Sequence, residues 1–232
     1  MKLHPILFND EMVRAILEGR KTQTRRPIKP QPAECRWIDR ILTMKWKSTI
    51  FNPHRVKPRN EILVGCPYGQ PGDRLWVRET FGVISPESVG DEQWYQIRQK
   101  RSFRIHPESN RVDGIAGAIY RADGEFEFAP GYEKWHPSIH MPRWASRIDL
   151  EIASIRVQRV QDISQRDALY EGCPGGRSEL NRRTVEMLSD SGTGAAMRVW
   201  FRQQWNAIYA DRGLSWDINP WVWVLVFERF AE

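Results

Sequence analysis

Ten residues near the amino terminus, Glu18-Gly19-Arg20-Lys21-Thr22-Gln23-Thr24-Arg25-Arg26-Pro27, concentrate the side chains best suited to chemistry. Four cations and two threonine hydroxyls follow Glu18 with no further acidic residue among them. Guanidinium forks match the geometry of phosphate and carboxylate. A threonine hydroxyl is a weak nucleophile until a base stands beside it. Lys21 could be that base if Arg20 and Arg25 depress its pKa. As a strand, the stretch sends Thr22, Thr24 and Arg26 to one face and Lys21, Gln23 and Arg25 to the other. Neither face is apolar. Two readings follow: a solvated basic edge strand, which is a normal guard against aggregation, or an anion or nucleotide site. Strict alternation separates Lys21 from Thr24, so uniting them requires a turn or bulge after Gly19.

Two carboxylates stand out elsewhere. Glu79 falls on the apolar face of a strand expected over residues 74–83, where Leu75, Val77 and Phe81 alternate with Trp76, Arg78 and Thr80. An unpaired carboxylate there is costly. The favoured reading is a buried pair with an arginine, Arg26 being the candidate; the other is a ligand-orienting acid. Glu171 ends a short helix, where the dipole disfavours its charge. It needs water or a cation, and Lys21 or Arg26 would serve.

Gly19-Arg20-Lys21-Thr22 followed by Thr24 and Arg26 resembles the signature of ASCH domains, small β-barrels of the PUA-like group. The likeness continues through Gly72-Asp73-Arg74-Leu75-Trp76-Val77 and through Asp162-Ile163-Ser164 to Ala168 and Glu171-Gly172. Met141-Pro142-Arg143-Trp144-Ala145-Ser146-Arg147-Ile148 and Asn219-Pro220-Trp221-Val222-Trp223 are similar to stretches of longer ASCH-like proteins carried by bacteriophages and prophages. The resemblance implies an α+β fold: a PUA-like mixed or antiparallel β-barrel with short flanking helices. It implies a single domain over residues 1–232 with insertions at about 33–70, 86–113 and 173–194. Some small members of the family are amidohydrolases that remove the acyl group from N4-acylated cytidine with a lysine, a threonine and a glutamate. The motif places these at Lys21, Thr24 and Glu171.

The elements that must position these residues are legible in part. Asn9 is a candidate N-cap, with Asp10 and Glu11 at the positive helix start. Met12, Val13, Ile16 and Leu17 recur at helix spacing, and Gly19 offers a left-handed stop. Residues 3–8 read as a first strand. Residues 116–128 read as a hairpin turning at Asp123-Gly124, with Phe126 and Phe128 beyond it. A long strand over 147–160 slips phase near Ala153-Ser154, the mark of a bulge or bend. Ser164 and Asp167 form a capping-box pair for a helix ending at Gly172, with Ile163 and Ala168 as its staple. Residues 195–209 form a helix with Met197, Trp200, Phe201, Trp205 and Ile208 on one face and Arg198 and Arg202 off it. The last strand, 221–227, is apolar on both faces, so both are covered. Residues 180–188 suggest a helical turn or two inside a polar, glycine-rich loop.

Composition bounds the partners. The 232 residues carry 35 Lys and Arg against 29 Asp and Glu, with a pI near 9.4, the footprint of a polyanionic partner. Eleven tryptophans are mostly core, with a few free to stack on bases. Cys35, Cys66 and Cys173 are widely spaced, and neither they nor the histidines show metal-ligand spacing. No metal or cofactor is expected. No apolar run is long enough to cross a bilayer, no secretory pattern opens the chain, and a bacterial cytoplasm is the simplest setting.

Binding of RNA or of a modified nucleoside or nucleotide is therefore the first expectation. Lys21, Arg25 and Arg26 would hold phosphate, Trp76 or Trp144 would stack on a base, and Arg20, Thr22, Arg78 and Glu79 would complete the ligand contacts. Hydrolysis of an N4-acetylcytidine-type amide is the alternative. A ribonuclease, or a phage accessory protein that binds a host protein, are further ones.

Overall fold

The computed structural model describes residues 1–32, 34–38, 41–45, 61–63, 65–85, 90–99, 103–105, 117–124, 126, 135–174 and 192–230. The fold is α+β. Its strands are β1 (Leu3–Leu7), β2 (Gln23–Pro27), β3 (Glu34–Ile38), β4 (Ile41–Lys45), β5 (Glu61–Leu63), β6 (Arg74–Arg78), β7 (Phe81–Ile84), β8 (Arg104–Ile105), β9 (Gly117–Tyr120), β10 (Trp135–His136), β11 (Asp149–Arg159) and β12 (Trp221–Phe230). Its helices are α1 (Asp10–Leu17), α2 (Asp91–Arg98), α3 (Gln165–Tyr170) and α4 (Gly192–Tyr209), with several single 3₁₀ turns between elements. Two compact units arise. One comprises Met1–Gly19, Gly72–Glu151 and Glu228–Glu232; the other comprises Arg20–Pro71 and Ile152–Phe227.

In the first unit β1 lies parallel to β6, with Leu3 opposite Arg74 and Leu7 opposite Arg78. The start of β11 pairs antiparallel with β6 on the other side. Helix α1 begins where expected: Asn9 Oδ1 accepts from the Met12 N–H, and Val13, Ala15 and Ile16 are buried. It stops at Gly19, whose φ of 74° is the left-handed conformation that glycine adopts without strain. A second sheet has the order β10-β7-β9-β8.

Two expectations need correction in this unit. The strand expected over 74–83 is two strands, and β6 and β7 belong to different sheets. The alternation nevertheless holds: Leu75, Val77, Glu79 and Phe81 are all buried. Period two reports the buried face and not the sheet to which each half belongs. The described part of the hairpin expected over 116–128 also differs from expectation at its turn. Strand β9 pairs with β7 and β8, and Asp123-Gly124 closes a 3₁₀ turn over Arg121–Asp123. Residues 116, 125, 127 and 128 lie outside the described residues. At Gly117 a Cβ would stand 2.0 Å from the Phe103 ring and 2.9 Å from the Arg104 carbonyl oxygen, so a larger residue would force a shift there.

In the second unit β2 pairs antiparallel with β12, in a sheet where β12 lies between β11 and β2. Val222, Trp223, Val224, Leu225 and Phe227 are buried, so β12 is covered on both faces as its composition demands. Helix α4 packs Phe201, Trp205 and Tyr209 against Val160, Ile163, Ala168, Trp216, Val222 and Val224, with Met197, Trp200 and Ile208 at the margin. The phase slip in β11 is visible as two successive exposed residues, Ala153 and Ser154, after buried Leu150 and Ile152. Strands β3, β4 and β5 form a separate antiparallel sheet in this unit. The expected turn over residues 180–188 and most of the expected insertions lie outside the described residues. No helix among the described residues is long and apolar enough to cross a membrane.

Candidate functional site

Three elements of the second unit meet around the carboxylates of Asp167 and Glu171. Helix α3 is short because its signals are close together. Ser164 accepts from the Asp167 N–H at 3.0 Å, the Asp167 side chain accepts in return from the Ser164 N–H, and Gly172 leaves with φ at 96°. Asp167 and Glu171 are four residues apart, so they share one face of the helix. From β2 and its approach come Lys21, Gln23 and Arg25, alternate residues on one face. From β11 come Arg156 and Gln158, also alternate residues.

Lys21 Nζ donates to Glu171 Oε2 at 3.0 Å and to the Glu171 carbonyl at 2.8 Å. An isolated bridge between the two backbones holds them at this separation. Arg25 donates to Glu171 Oε1 at 2.8 Å and to Asp167 Oδ2 at 2.9 Å. Arg156 donates to the other Asp167 oxygen at 2.9 Å and to Gln23 and Gln158 Oε1, each at 3.1 Å. Lys21, Arg25 and Glu171 are 2 %, 3 % and 5 % exposed. The reading of β2 as a solvated basic edge is thereby overturned: Lys21 and Arg25 are paired and buried and Arg26 is half-buried, although the strand is last in its sheet order.

Burial lowers the Lys21 pKa, the Glu171 carboxylate opposes that, and Arg26 and Arg25 lower it further. Burial pushes the Asp167 carboxyl up, but Arg25 and Arg156 outweigh it and leave the pKa below the ordinary range. With all five groups ionised, three cations face two carboxylates, and one positive charge remains. The arrangement can pass a proton between an amine and a carboxylate, and it can offer donors to an acceptor-rich ligand.

The remaining residues singled out by sequence are distributed as follows. Thr24 is buried and pairs with Leu225, and alternation sends its side chain to the face opposite Gln23 and Arg25. The Thr22 N–H donates to the Tyr170 carbonyl. Arg20 reaches the Gly172 carbonyl at 2.9 Å, and Arg26 reaches the Tyr209 hydroxyl at 3.3 Å. Of the two cations expected beside Glu171, Lys21 pairs with it and Arg26 does not, and Arg26 does not pair with Glu79 either. Arg25, one residue earlier, takes Glu171 because it shares the face of Lys21.

Trp76, Arg78, Glu79 and Trp144 belong to the first unit. Glu79 is fully buried, and Arg147 grips both of its oxygens at 2.9 Å while also bonding both oxygens of Asp123. Its pairing with an arginine is as expected; the partner is Arg147, from the Met141–Ile148 stretch. Burial raises the Glu79 pKa and Arg147 opposes the rise. The Arg147 guanidinium lies 3.9 Å from the centre of the Tyr120 ring. The guanidinium carbons of Arg78 and Arg143 lie 5.3 and 5.9 Å from the centre of the Trp76 ring. Trp144 packs on the cluster of Phe81, Tyr120 and Met141.

Sequence reasoning did not assign Gln23, Arg156 or Gln158 to a site, and it read Asp167 only as a cap. The signals were present: Gln23 alternates with Lys21 and Arg25, and Asp167 precedes Glu171 by one helical turn. Among the described residues, no group of three or more His, Cys, Asp or Glu side chains is arranged to hold a metal ion. No family model, no curated protein and no solved structure matches the chain.

Proposed function

We propose that this chain is an ASCH-like protein with a divergent PUA-like frame, and that it binds a single modified nucleoside at the cluster of Lys21, Arg25 and Glu171. The supporting observation is the convergence of Lys21 Nζ and the Arg25 guanidinium on one buried carboxylate, contributed from 150 and 146 residues along the chain. Arg25 has its charge committed to Glu171 and Asp167, which favours a small ligand over a phosphate backbone as the partner. A long RNA would need cations free to displace condensed counterions.

A second reading has its own support. Lys21 is an amine held below its usual pKa, 3.0 Å from a carboxylate. That combination suits proton transfer in amide hydrolysis. In such a reaction water adds across the N4-acyl bond, and the products are a carboxylic acid and the free exocyclic amine. Glu171 would carry the proton to the leaving nitrogen. The face on which Thr24 lies favours a supporting role for its hydroxyl over direct attack.

Incubation with N4-acetylcytidine, followed by chromatography for cytidine, separates the two. Turnover that disappears in Lys21→Ala and Glu171→Gln selects the hydrolase. Binding of N4-acetylcytidine by calorimetry without turnover selects the binder. Salt-dependent binding of labelled single-stranded RNA, with a steep slope that flattens in an Arg25→Ala/Arg26→Ala double variant and no nucleoside binding, overturns the single-nucleoside reading.

A further inference from the structure

At the centre of the ion cluster is a side chain whose chemistry is half used. Gln23 is 1 % exposed. Its Oε1 accepts from Arg156 at 3.1 Å, which fixes the amide orientation and leaves Nε2 as the uncommitted end. Nε2 finds no acceptor among the described residues. Gln158, two residues beyond Arg156 on β11, is in the same condition. Its Oε1 accepts from the same guanidinium at 3.1 Å, and its Nε2 is buried with no acceptor among the described residues. Arg156 thus orients two carboxamides at once, each with its donors unused.

Buried donors are almost always satisfied, and each exception asks for an explanation. Two exceptions hinged on one guanidinium, beside Lys21 and Arg25 on the same face of β2, have a common one. The neighbouring carboxylates are already taken by Arg25, Lys21 and Arg156. The missing partner must therefore bring acceptors and no competing positive charge, which the surplus positive charge of the cluster also favours.

We propose that the Gln23 and Gln158 carboxamides are the specificity-determining donors of the site, and that they read an acceptor-rich edge, a ring carbonyl beside an unprotonated ring nitrogen, on the bound base. This rests on the single-nucleoside reading above and adds to it the face of the ligand that is recognised. A pyrimidine with O2 and an unprotonated N3 offers that edge. A base protonated or methylated at the ring nitrogen does not. Arg156 is a positioning residue: it holds the amides and leaves the ligand to them.

The test uses the full-length protein with N4-acetylcytidine, cytidine and 3-methylcytidine as probes, read by calorimetry, alongside thermal melts. Methionine matches glutamine in length and has no donor. Gln23→Met and Gln158→Met should weaken N4-acetylcytidine and cytidine about tenfold or more, the loss expected for a buried donor bond. Their melting temperatures should stay level or rise, because each removes an unmet buried donor. Wild type should reject 3-methylcytidine. If wild type binds the unmethylated nucleosides and both variants bind them equally well, the donor assignment is wrong while the nucleoside reading survives. If the variants melt lower and binding is unchanged, the amides serve the fold and the assignment is likewise overturned. If wild type binds none of the three probes, the nucleoside reading falls and takes this inference with it.

Discussion

Burial of the Lys21 ammonium costs more than the Glu171 carboxylate returns, so the amine loses its proton below the ordinary lysine value of 10.5. Nuclear magnetic resonance of the lysine side chains against pH should show one amine titrating ahead of the others and absent in Lys21→Met. Glu171→Gln should move that titration lower still, because the carboxylate is the group that favours the charged form. The same variant leaves Lys21 and part of Arg25 buried without a counter-charge. It should lose about 3–5 kcal/mol of stability by chemical denaturation, the usual cost of breaking a buried pair from one side. A loss within about 0.5 kcal/mol, the range of ordinary surface substitutions, would mean that water reaches the pair.

At the scale of elements, α3 decides whether Asp167 and Glu171 face β2 at all. It has six residues, too few to persist in isolation, and depends on its two ends. Ser164→Ala removes the cap oxygen and should cost about 1 kcal/mol. Gly172→Ala forces a side chain into a left-handed conformation, φ 96°, and should cost about 1–2 kcal/mol. Both should also weaken nucleoside binding, because Glu171 is the C-cap residue and moves with the last turn. Equal destabilisation from a surface substitution on α2, with binding intact, is the control. Arg25 ties the two ends of α3 together, one carboxylate from each turn, and so does for the helix what more length would do.

At the scale of the whole molecule, two carboxylates, buried Glu79 and half-buried Asp167, pull stability in opposite directions with pH. The folded pKa of Glu79 lies above the ordinary 4.5, so the folded chain holds that proton more tightly than the unfolded one. Its contribution is fully present below 4.5 and is lost as pH rises through the folded value. Asp167 lies below the ordinary 3.8, so its contribution is present above 3.8 and is lost as pH falls through the folded value. Urea unfolding across pH 3 to 8 should therefore show Glu79→Gln flattening the limb above 4.5, although the variant is less stable throughout because Arg147 keeps only Asp123. An unchanged slope in Glu79→Gln would show that burial does not govern this carboxyl.

Much of the local frame was legible from the chain itself. Caps such as Asn9 and Ser164, the stops at Gly19 and Gly172, the aromatic face of α4 and the two-sided burial of β12 depend on neighbours within a few residues, and one-dimensional patterns carry that information. The need of Glu79 and Glu171 for a cation was also readable, because burial and the helix end are local properties. For Glu171 one partner, Lys21, was readable as well; the arginine partners were not. Arg147 and Arg25 stood in for Arg26 because pairing depends on which residues of distant segments share a face, and a one-residue change of strand phase reverses that choice. The splitting of residues 74–84 between two sheets was hidden for the same reason, since alternation is blind to which strand lies alongside. The site as a cluster, with Arg156 orienting Gln23 and Gln158 around Asp167 and Glu171, came only from tertiary structure: the five residues span more than 140 positions, and the energy of placing them together resides in contacts that no short window contains.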